Sequence, residues 1–220
     1  MSEISSYLPL LLKGTVLTIE LFVLTLVMAM PLGLPIALGS NSRFWPIKML
    51  CRVFVWVFRG TPLMLQLFFF YFFFPIQLHI TMAPFPTVVI TFVLNYAAYY
   101  AEIYRGGING IDQGQHEAAL ALGLNRRQTF FDIIMPQAMK SVLPAIVNEA
   151  ITLVKDTALA STIGAVYDLM KNTESVVNRT TSLLPFAVAA AIYLVLTAVL
   201  TLASNKVEQH YNRYDEKGDR

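Results

Sequence analysis

Residues 114–138 read GQHEAALALGLNRRQTFFDIIMPQA, a polar and charged stretch that lies between long apolar runs. Apolar runs of about 20 residues are long enough to cross a bilayer as helices, and a charged stretch between two of them has to lie outside the hydrocarbon region. The stretch therefore predicts an all-α fold that crosses a membrane several times and carries one long polar connection.

The composition also places the chain among membrane proteins. Hydrophobic residues make up 56% of its 220 residues and charged residues only 14%. Because one crossing takes about 20 residues, the chain has room for about five spanning helices with short connections. We expect one transmembrane domain over residues 1–220, with no fused ATPase. The net charge of +2 is too small and too scattered to indicate a nucleic-acid partner.

Five segments are candidates for the spans. The second should bend just after Arg59, where Gly-Thr-Pro follows. The fourth has the weakest apolar signal, because Glu149, Lys155 and Asp156 interrupt it. The five predicted spans cover residues 21–38, 47–74, 86–104, 138–163 and 180–205.

The positive residues in the connections predict the orientation, since Lys and Arg near span ends are retained in the cytoplasm. The second connection has none, and in the fourth Lys171 and Arg179 are offset by Asp168 and Glu174. We therefore expect the N-terminus outside and the C-terminus inside. The positive residues of the first connection, the third connection and the tail are Arg43, Lys48, Arg105, Arg126, Arg127, Lys140, Lys206, Arg213, Lys217 and Arg220.

The third connection, about residues 106–138, should be folded. The alanines and leucines of EAALAL favour a helix that Gly123 can end. The residues NRRQ at 125–128 can begin a second short helix that reaches Ile134 before Pro136. A rigid pair of helices at the membrane surface could transmit motion from a cytoplasmic partner, whereas a flexible loop would absorb it.

This connection resembles the EAA loop of permease subunits of ATP-binding-cassette importers, with Met135 where that loop often has Leu. The sequences GQHEAALALG, IMPQA and LVKDTALAS resemble the polar amino acid branch of that family, which includes histidine, glutamine, arginine and cystine permeases. The resemblance implies a type I importer fold with a cytoplasmic loop that docks in a groove of the ATPase subunit. The five positions that carry this coupling role are Glu117, Ala118, Ala119, Gly123 and Pro136.

A different reading of the same connection stays open at this point. Its basic residues, Arg126 and Arg127, and its aromatic residues, Phe130 and Phe131, would also suit an amphipathic hairpin that rests on lipid.

Ionisable residues inside a membrane cost about 2.5–3.5 kcal/mol each on insertion scales, so they usually face a protein interior or a water-filled path. Arg59 could bind a substrate carboxylate, and Asp156 could accept an ammonium group or a polar side chain. Alternatively, these groups only hold the helices together: Arg59, Glu102, Glu149, Lys155 and Asp156 could pair with one another across helices, and the adjacent Lys155 and Asp156 could neutralise each other. Glu102 and Arg105 are expected to form a structural or gating pair. The candidate substrate residues are Arg59, Thr61, Gln66, Asn95, Tyr99, Lys155, Asp156 and Ser161.

These features predict the permease subunit of a bacterial inner-membrane importer for polar amino acids, which works by alternating access. The chain lacks a G-x-x-x-x-G-K-[ST] loop, so ATP and Mg²⁺ should bind to a separate ATPase subunit, and this chain should be no enzyme and bind no cofactor or metal. The resemblance implies further partners: a second permease subunit, identical or related, and an extracytoplasmic amino-acid-binding protein, with lipid around the helices.

Two other functions remain open at the level of sequence. A secondary transporter could use Lys155 and Asp156 as an ion relay. A membrane-embedded enzyme or assembly factor could use Asp156 or Glu149 as an acid or base. The sequence does not choose among basic, acidic, amide and sulfur-containing amino acids as cargo.

Overall fold

The computed structural model describes the backbone of residues 2–212 and the side chains of residues 3–206. All regular elements in this part of the chain are helical, which confirms the all-α prediction. The α-helices are α1 (Ser2–Ser40), α2 (Trp45–Gly60), α3 (Leu63–Phe68), α4 (Phe74–Leu78), α5 (Pro84–Asn109), α6 (Gln113–Ala121), α7 (Arg126–Gln128), α8 (Met135–Asp156), α9 (Leu169–Thr180) and α10 (Leu184–Asn212). Two π-helical turns (Phe69–Phe73 and Thr129–Ile134) and a 3₁₀ segment (Thr157–Ile163) join some of them.

The predicted number of five spans is not confirmed by helix length and composition. Among the described residues, three helical stretches are long and apolar enough to cross a membrane: Glu3–Ser40, Arg126–Ile163 and Leu184–Lys206. The stretch from α2 to α4 would be a fourth if it is one span, although its two parts meet at 106°. Helix α5 has 26 residues but is not among these candidates, and it carries Asn95, Glu102 and Arg105.

Several predicted boundaries differ from those of the structure. Helix α1 begins well before residue 21 and continues through Pro31 and Pro35. The bend after Arg59 is present, with Thr61 and Pro62 outside helices. Helix α9, which was not predicted, occupies much of the fourth connection, so the fifth predicted span begins at Leu184 instead of residue 180.

Helix α5 lies at the centre of the fold. Half of its 26 residues are buried, while α2 has no buried residue. The contact between α1 and α5 depends on Gly33, because a Cβ atom at this position would lie 2.8 Å from the Cβ of Tyr100 and 3.0 Å from the backbone nitrogen of Ala101. Helix α5, which carries Asn95, Glu102 and Arg105, is therefore packed between α1, α2 and α8.

Two contacts show which connections share an end of the molecule. The Asn41 side chain donates a hydrogen bond to Asn109 Oδ1 at 2.9 Å, so the first connection lies beside the end of α5. In the N-terminal half of α1, Asn172 Nδ2 of α9 donates to the carbonyl oxygen of Leu10 at 3.0 Å, and the backbone N–H of Leu169 donates to Thr18 Oγ1 at 3.1 Å. The first and third connections therefore lie at one end and α9 at the other. Arg213, Lys217 and Arg220 of the predicted inner tail lie outside the described residues.

Candidate functional site

A cavity of about 500 Å³ lies between the break after α2, the middle of α5 and the end of α8. This volume is in the range of small-molecule sites, roughly 300–1,000 Å³. The bend at Gly60 to Pro62 lets both Arg59 and Leu63 face the same space. Five of the predicted substrate residues line it: Arg59, Thr61, Asn95, Tyr99 and Asp156.

A buried network behind the cavity fixes the broken helix. Asn95 Nδ2 donates to Gln66 Oε1 at 3.0 Å and to the carbonyl oxygen of Phe58 at 3.1 Å. Gln66 Nε2 donates to the same carbonyl at 2.9 Å and to Thr61 Oγ1 at 2.8 Å. Pro62 has no N–H to continue the helix, so the amides satisfy a carbonyl near the end of α2 that would otherwise lack a partner. Gln66 therefore supports the cavity wall without lining it.

The carboxylate of Asp156 is held by a tyrosine. Tyr96 Oη donates a hydrogen bond to Asp156 Oδ2 at 2.8 Å, and Tyr96 is only 1% exposed. A neutral donor orients the carboxyl group without adding a positive charge beside it. Asp156 thus presents a fixed acceptor to the cavity.

Arg59 lies at the junction of several charged and aromatic groups. Its guanidinium carbon is 5.3 Å from the centre of the Tyr99 ring, and its Nη1 is 3.8 Å from Glu102 Oε1. Glu102 in turn accepts two hydrogen bonds from Arg105, at 2.9 Å from Nε and 2.6 Å from Nη2. The expected pairing across helices is therefore present for Arg59 with Glu102, but the stronger partner of Glu102 is Arg105.

Two further cavities continue from the first toward the end of α5. One of about 650 Å³ shares Arg59, Tyr99 and Glu149 with it and reaches Gly110. Another of about 570 Å³ is lined by Arg52, Arg59, Glu102 and Arg105, among others. Arg59 lines all three cavities, which together extend from Asp156 to the end of α5 that faces the third connection.

Two other predicted substrate residues do not line the cavity. Lys155 is on the exposed side of α8, and Ser161 is buried in the 3₁₀ segment. Sequence reasoning had not included Glu149 and Thr152 among the substrate residues, yet both line the cavity with Asp156. Glu149, Thr152 and Asp156 are separated by three and four residues, which puts all three side chains on one face of a helix. This spacing could have identified Glu149 and Thr152 from the sequence.

The third connection forms a pair of short helices joined at a glycine, as predicted. Gly123 has a φ of +77°, a left-handed conformation that glycine adopts without strain. Asn125 caps the second helix through a capping box with Gln128. This helix does not end before Pro136: a π-helical turn carries it into α8, and this turn accommodates the missing N–H of the proline.

Most of α6 is exposed. Glu117, Ala118 and Pro136 lie on the surface, whereas Ala119 is 3% exposed and anchors α6. Two leucines that flank this face, Leu120 and Leu122, are 60% and 81% exposed. We call the exposed face of residues 113–122 the α6 surface.

The α6 surface is attached to the cavity through one continuous helical stretch. The stretch Arg126–Ile163 has 38 residues; it begins beside α6 and carries Glu149 and Asp156 near its other end. Gln137 Nε2 donates to Gln115 Oε1 at 3.1 Å, which ties α6 to the start of α8. A displacement of α6 would therefore be passed to the cavity wall along this stretch.

Comparison with known proteins identifies the family of the chain. Residues 29–213 match the family model described as a binding-protein-dependent transport system inner membrane component. The chain is 39% identical over 209 residues to the arginine transport system permease of Bacillus subtilis (94% of this chain, 95% of the relative). It is 36% identical to the L-cystine permease of the same organism (96% and 91%) and 34% identical to the glutamine permease of Escherichia coli (94% and 95%).

Solved structures show the same fold. A crystal structure of an amino acid ABC transporter with histidines superimposes with a TM-score of 0.89 at 34% identity, covering 94% of this chain and 97% of that one. An inward-facing methionine ABC transporter gives a TM-score of 0.77 at 17% identity, covering 92% and 96%, which shows the fold alone.

Proposed function

This chain belongs to the family of binding-protein-dependent transport system inner membrane components, and we propose that, as the amino acid permease of an ABC importer, it works by alternating access driven by a separate ATPase subunit. The observation that carries the proposal is the continuous stretch Arg126–Ile163, which connects the α6 surface to the wall of the cavity.

The α6 surface would be the ATPase contact. Its small residues, Ala118 and Ala121, allow close approach of another backbone, Glu117 can pair with a basic residue, and the exposed leucines can enter an apolar groove. Closing of the ATPases would displace α6, and α8 would pass the displacement to the cavity. ATP and Mg²⁺ would bind to the ATPase, and this chain would perform no covalent chemistry.

The cavity would hold the amino acid. Arg59 offers a cation for the α-carboxylate, and Asp156 offers a fixed carboxylate for the α-ammonium group. Asn95, Thr61 and Tyr99 add hydrogen-bonding groups to the wall. Gln66 would act by positioning Asn95, and Lys155 and Ser161 lie outside the lining.

The remaining partners follow from the family. A second permease subunit, identical or related, would complete the translocation path, and an extracytoplasmic binding protein would deliver the amino acid. The chain would lie in the bacterial inner membrane with its N-terminus outside, so that α6 is cytoplasmic and α9 faces the delivering protein. The shared end of the first and third connections, both rich in Lys and Arg, supports this orientation.

Reconstitution tests the proposal. The permease is placed in proteoliposomes with the ATPase and binding protein encoded beside it, and uptake of labelled amino acids is measured with and without ATP. We expect uptake that requires both ATP and the ATPase subunit and that persists when an ionophore collapses ion gradients. Uptake that continues without the ATPase and stops with the ionophore would instead support a secondary transporter.

A further inference from the structure

Three arginines and one glutamate line the cavity of about 570 Å³ between α2 and the end of α5. The α2 residues Arg52, Trp56 and Arg59 are four and three residues apart, so they share the helix face that borders this cavity. Glu102 and Arg105 line it from α5. Among the described residues of the lining, Glu102 is the one carboxylate, and it accepts two hydrogen bonds from Arg105. The lining therefore holds two more guanidinium groups than carboxylates.

Arg52 and Arg59 have donors left for a further acceptor. Arg52 Nε donates to the carbonyl oxygen of Ser40 at 3.3 Å, and no carboxylate of residues 3–206 lies within 4.0 Å of its guanidinium. Arg59 approaches Glu102 only to 3.8 Å. Guanidinium groups bind phosphate and carboxylate oxygens through pairs of N–H donors. An anion in this cavity would thus meet donors of α2 that the chain itself does not use.

The surplus of positive charge remains when the neighbouring groups are counted. Arg59 shares the adjoining cavities with Glu149 and Asp156, and the charge of Lys155 acts on Asp156. The whole set has four cations and three carboxylates, namely Arg52, Arg59, Arg105 and Lys155 against Glu102, Glu149 and Asp156. Protonation of any of these carboxylates would increase the surplus. The cluster therefore lacks at least one negative charge.

The cavity lies level with the ends of α1 and α5. Ser40, which accepts the hydrogen bond of Arg52, is the last residue of α1, and the next residue, Asn41, donates to Asn109 at the end of α5. Arg105 precedes Asn109 by four residues, which is about 6 Å along the helix axis. In the proposed orientation of the chain, this is the depth of the phospholipid headgroups of the cytoplasmic leaflet.

The side of α2 next to the cavity is apolar and uncovered. No residue of α2 is buried, and Trp56, at the edge of the cavity, is 75% exposed. Val53 and Val57 beside it are 41% and 40% exposed. Tryptophan is typical of the membrane interface, where its ring lies at headgroup level. An acyl chain can lie along these side chains while its headgroup enters the cavity, whereas a free anion would make no use of them.

We propose that this cavity binds the headgroup of an anionic phospholipid of the cytoplasmic leaflet, with its phosphate at Arg52 and Arg105 and its acyl chains along α2. The choice of leaflet rests on the proposed function and its orientation, while the site itself rests on the charges and surroundings of the cavity. A phosphodiester brings one negative charge to a cluster that lacks one, and a zwitterionic lipid brings no net charge. Because the phosphate accepts hydrogen bonds from both helices, the lipid joins α2 to α5.

Two lipids with the same acyl chains isolate the charge of the headgroup. The complex of the permease with its ATPase is purified in detergent and delipidated, and binding of dioleoylphosphatidylglycerol and dioleoylphosphatidylcholine is measured by native mass spectrometry. We expect phosphatidylglycerol to bind about tenfold more tightly, the order expected when one anionic headgroup meets two or three arginines. It should also raise the Tm of the complex, and millimolar inorganic phosphate should not displace it.

A matched pair of variants on α2 separates the cavity from the general basic character of this end of the chain. Arg52→Gln should weaken phosphatidylglycerol binding about fivefold, leave phosphatidylcholine binding unchanged and remove most of the gain in Tm. Arg52→Lys, which keeps the charge, should restore part of both. Lys48→Gln removes a positive charge four residues earlier on the same helix, outside the described lining, and should change the affinity for neither lipid.

The outcomes are distinct. Equal binding of the two lipids to the unaltered complex overturns the site even if Arg52→Gln does not fold. Equal losses in Arg52→Gln and Lys48→Gln also overturn it, because the attraction would then belong to the basic surface as a whole. Displacement of phosphatidylglycerol by inorganic phosphate would make the cavity a site for free phosphate instead of lipid. Selective binding of phosphatidylglycerol by a chain whose uptake needs an ion gradient and no ATPase would remove the proposed transport mechanism and leave the lipid site standing.

Discussion

The cavity and the α6 surface are built in opposite ways. In the cavity, Asp156 is held by Tyr96, and Asn95 by Gln66, so most polar groups have partners within the chain. The α6 surface instead presents exposed apolar side chains. Ala119 is buried and anchors the helix, whereas Leu120 and Leu122 are largely exposed. The cavity can thus be formed by this chain's own side chains, while the α6 surface has the character of a contact for another protein. Changes in the two regions should therefore produce different defects.

The largest effect is expected at Gly123. Valine there would be forced into a left-handed conformation that costs a non-glycine residue about 1–2 kcal/mol, and it would shift the turn between α6 and α7. Apart from the chain neighbours of Gly123, none of the described residues has an atom within 4 Å of the position of the added Cβ, so the protein should still fold. We expect Gly123→Val to abolish ATP-driven uptake while amino acid binding stays within about twofold of normal.

Asparagine gives the matched control for this change, because it tolerates positive φ better than valine. Gly123→Asn should retain much of the uptake. The measurements are uptake in proteoliposomes, ATPase stimulation and ligand binding in nanodiscs. Normal coupled uptake by Gly123→Val would count heavily against the α6 surface as the ATPase contact.

Asp156→Asn should show the opposite defect. The asparagine keeps an oxygen that can accept the Tyr96 hydrogen bond, so assembly should be preserved. Loss of the negative charge should weaken binding of the labelled amino acid about tenfold, which corresponds to about 1.4 kcal/mol. Basal ATP hydrolysis by the complex should not change.

Tyr96→Phe serves as the companion variant, since it removes the donor and retains the carboxylate. Its effect on affinity should be smaller than that of Asp156→Asn. Equilibrium binding and uptake kinetics measure both. Unchanged uptake kinetics in Asp156→Asn would reject Asp156 as a substrate residue.

The two regions also differ in how far sequence could predict them. The helices of the α6 loop follow from local signals: alanines that favour helix, Gly123 at a left-handed turn and Asn125 as a cap. The continuation of the helix past Pro136 was missed, because a π-helical turn absorbs the proline and leaves no clear pattern in the residues. The α9 helix was missed because its polar residues resemble a loop.

The cavity required tertiary contacts that local patterns do not specify. Arg59 and Asp156 could be suspected from the cost of charge in a membrane, but their meeting depends on the sharp bend after α2. Gln66 was expected to face the substrate and instead supports Asn95. Lys155 follows Glu149 by six residues, a spacing that places it off the face shared by Glu149 and Asp156.

The smallest effect is expected at Asp168, which belongs neither to the cavity nor to the α6 surface. Changing it tests whether these two regions account for all the functional parts of the chain. Asp168 precedes α9, outside the membrane-spanning segments, and its side chain is fully buried. Its oxygens accept hydrogen bonds from the backbone N–H groups of Lys171 at 2.9 Å and Met170 at 3.2 Å. Burial nevertheless raises the pKa of Asp168 to about 6, from an ordinary value of 3.8.

The sign of the pH dependence follows from this raised pKa. Between about pH 4 and pH 6 the folded protein keeps a proton on Asp168 that the unfolded chain has lost, so its contribution to the free energy of unfolding falls as pH rises and levels off above the folded pKa. We expect the unaltered protein to have a Tm a few degrees higher at pH 5 than at pH 7.5. Asp168→Asn, which keeps a capping oxygen but cannot ionise, should lose most of this difference.

Thermal unfolding of the purified protein in detergent at the two pH values measures the effect, and binding of the labelled amino acid at neutral pH is measured alongside it. Because Asp168 contacts α9 and lies near α1, its replacement should leave both the cavity and the α6 surface unchanged. A large loss of ligand binding or of ATPase coupling in Asp168→Asn would mean that α9 takes part in transport, and the division into two functional regions would then be incomplete.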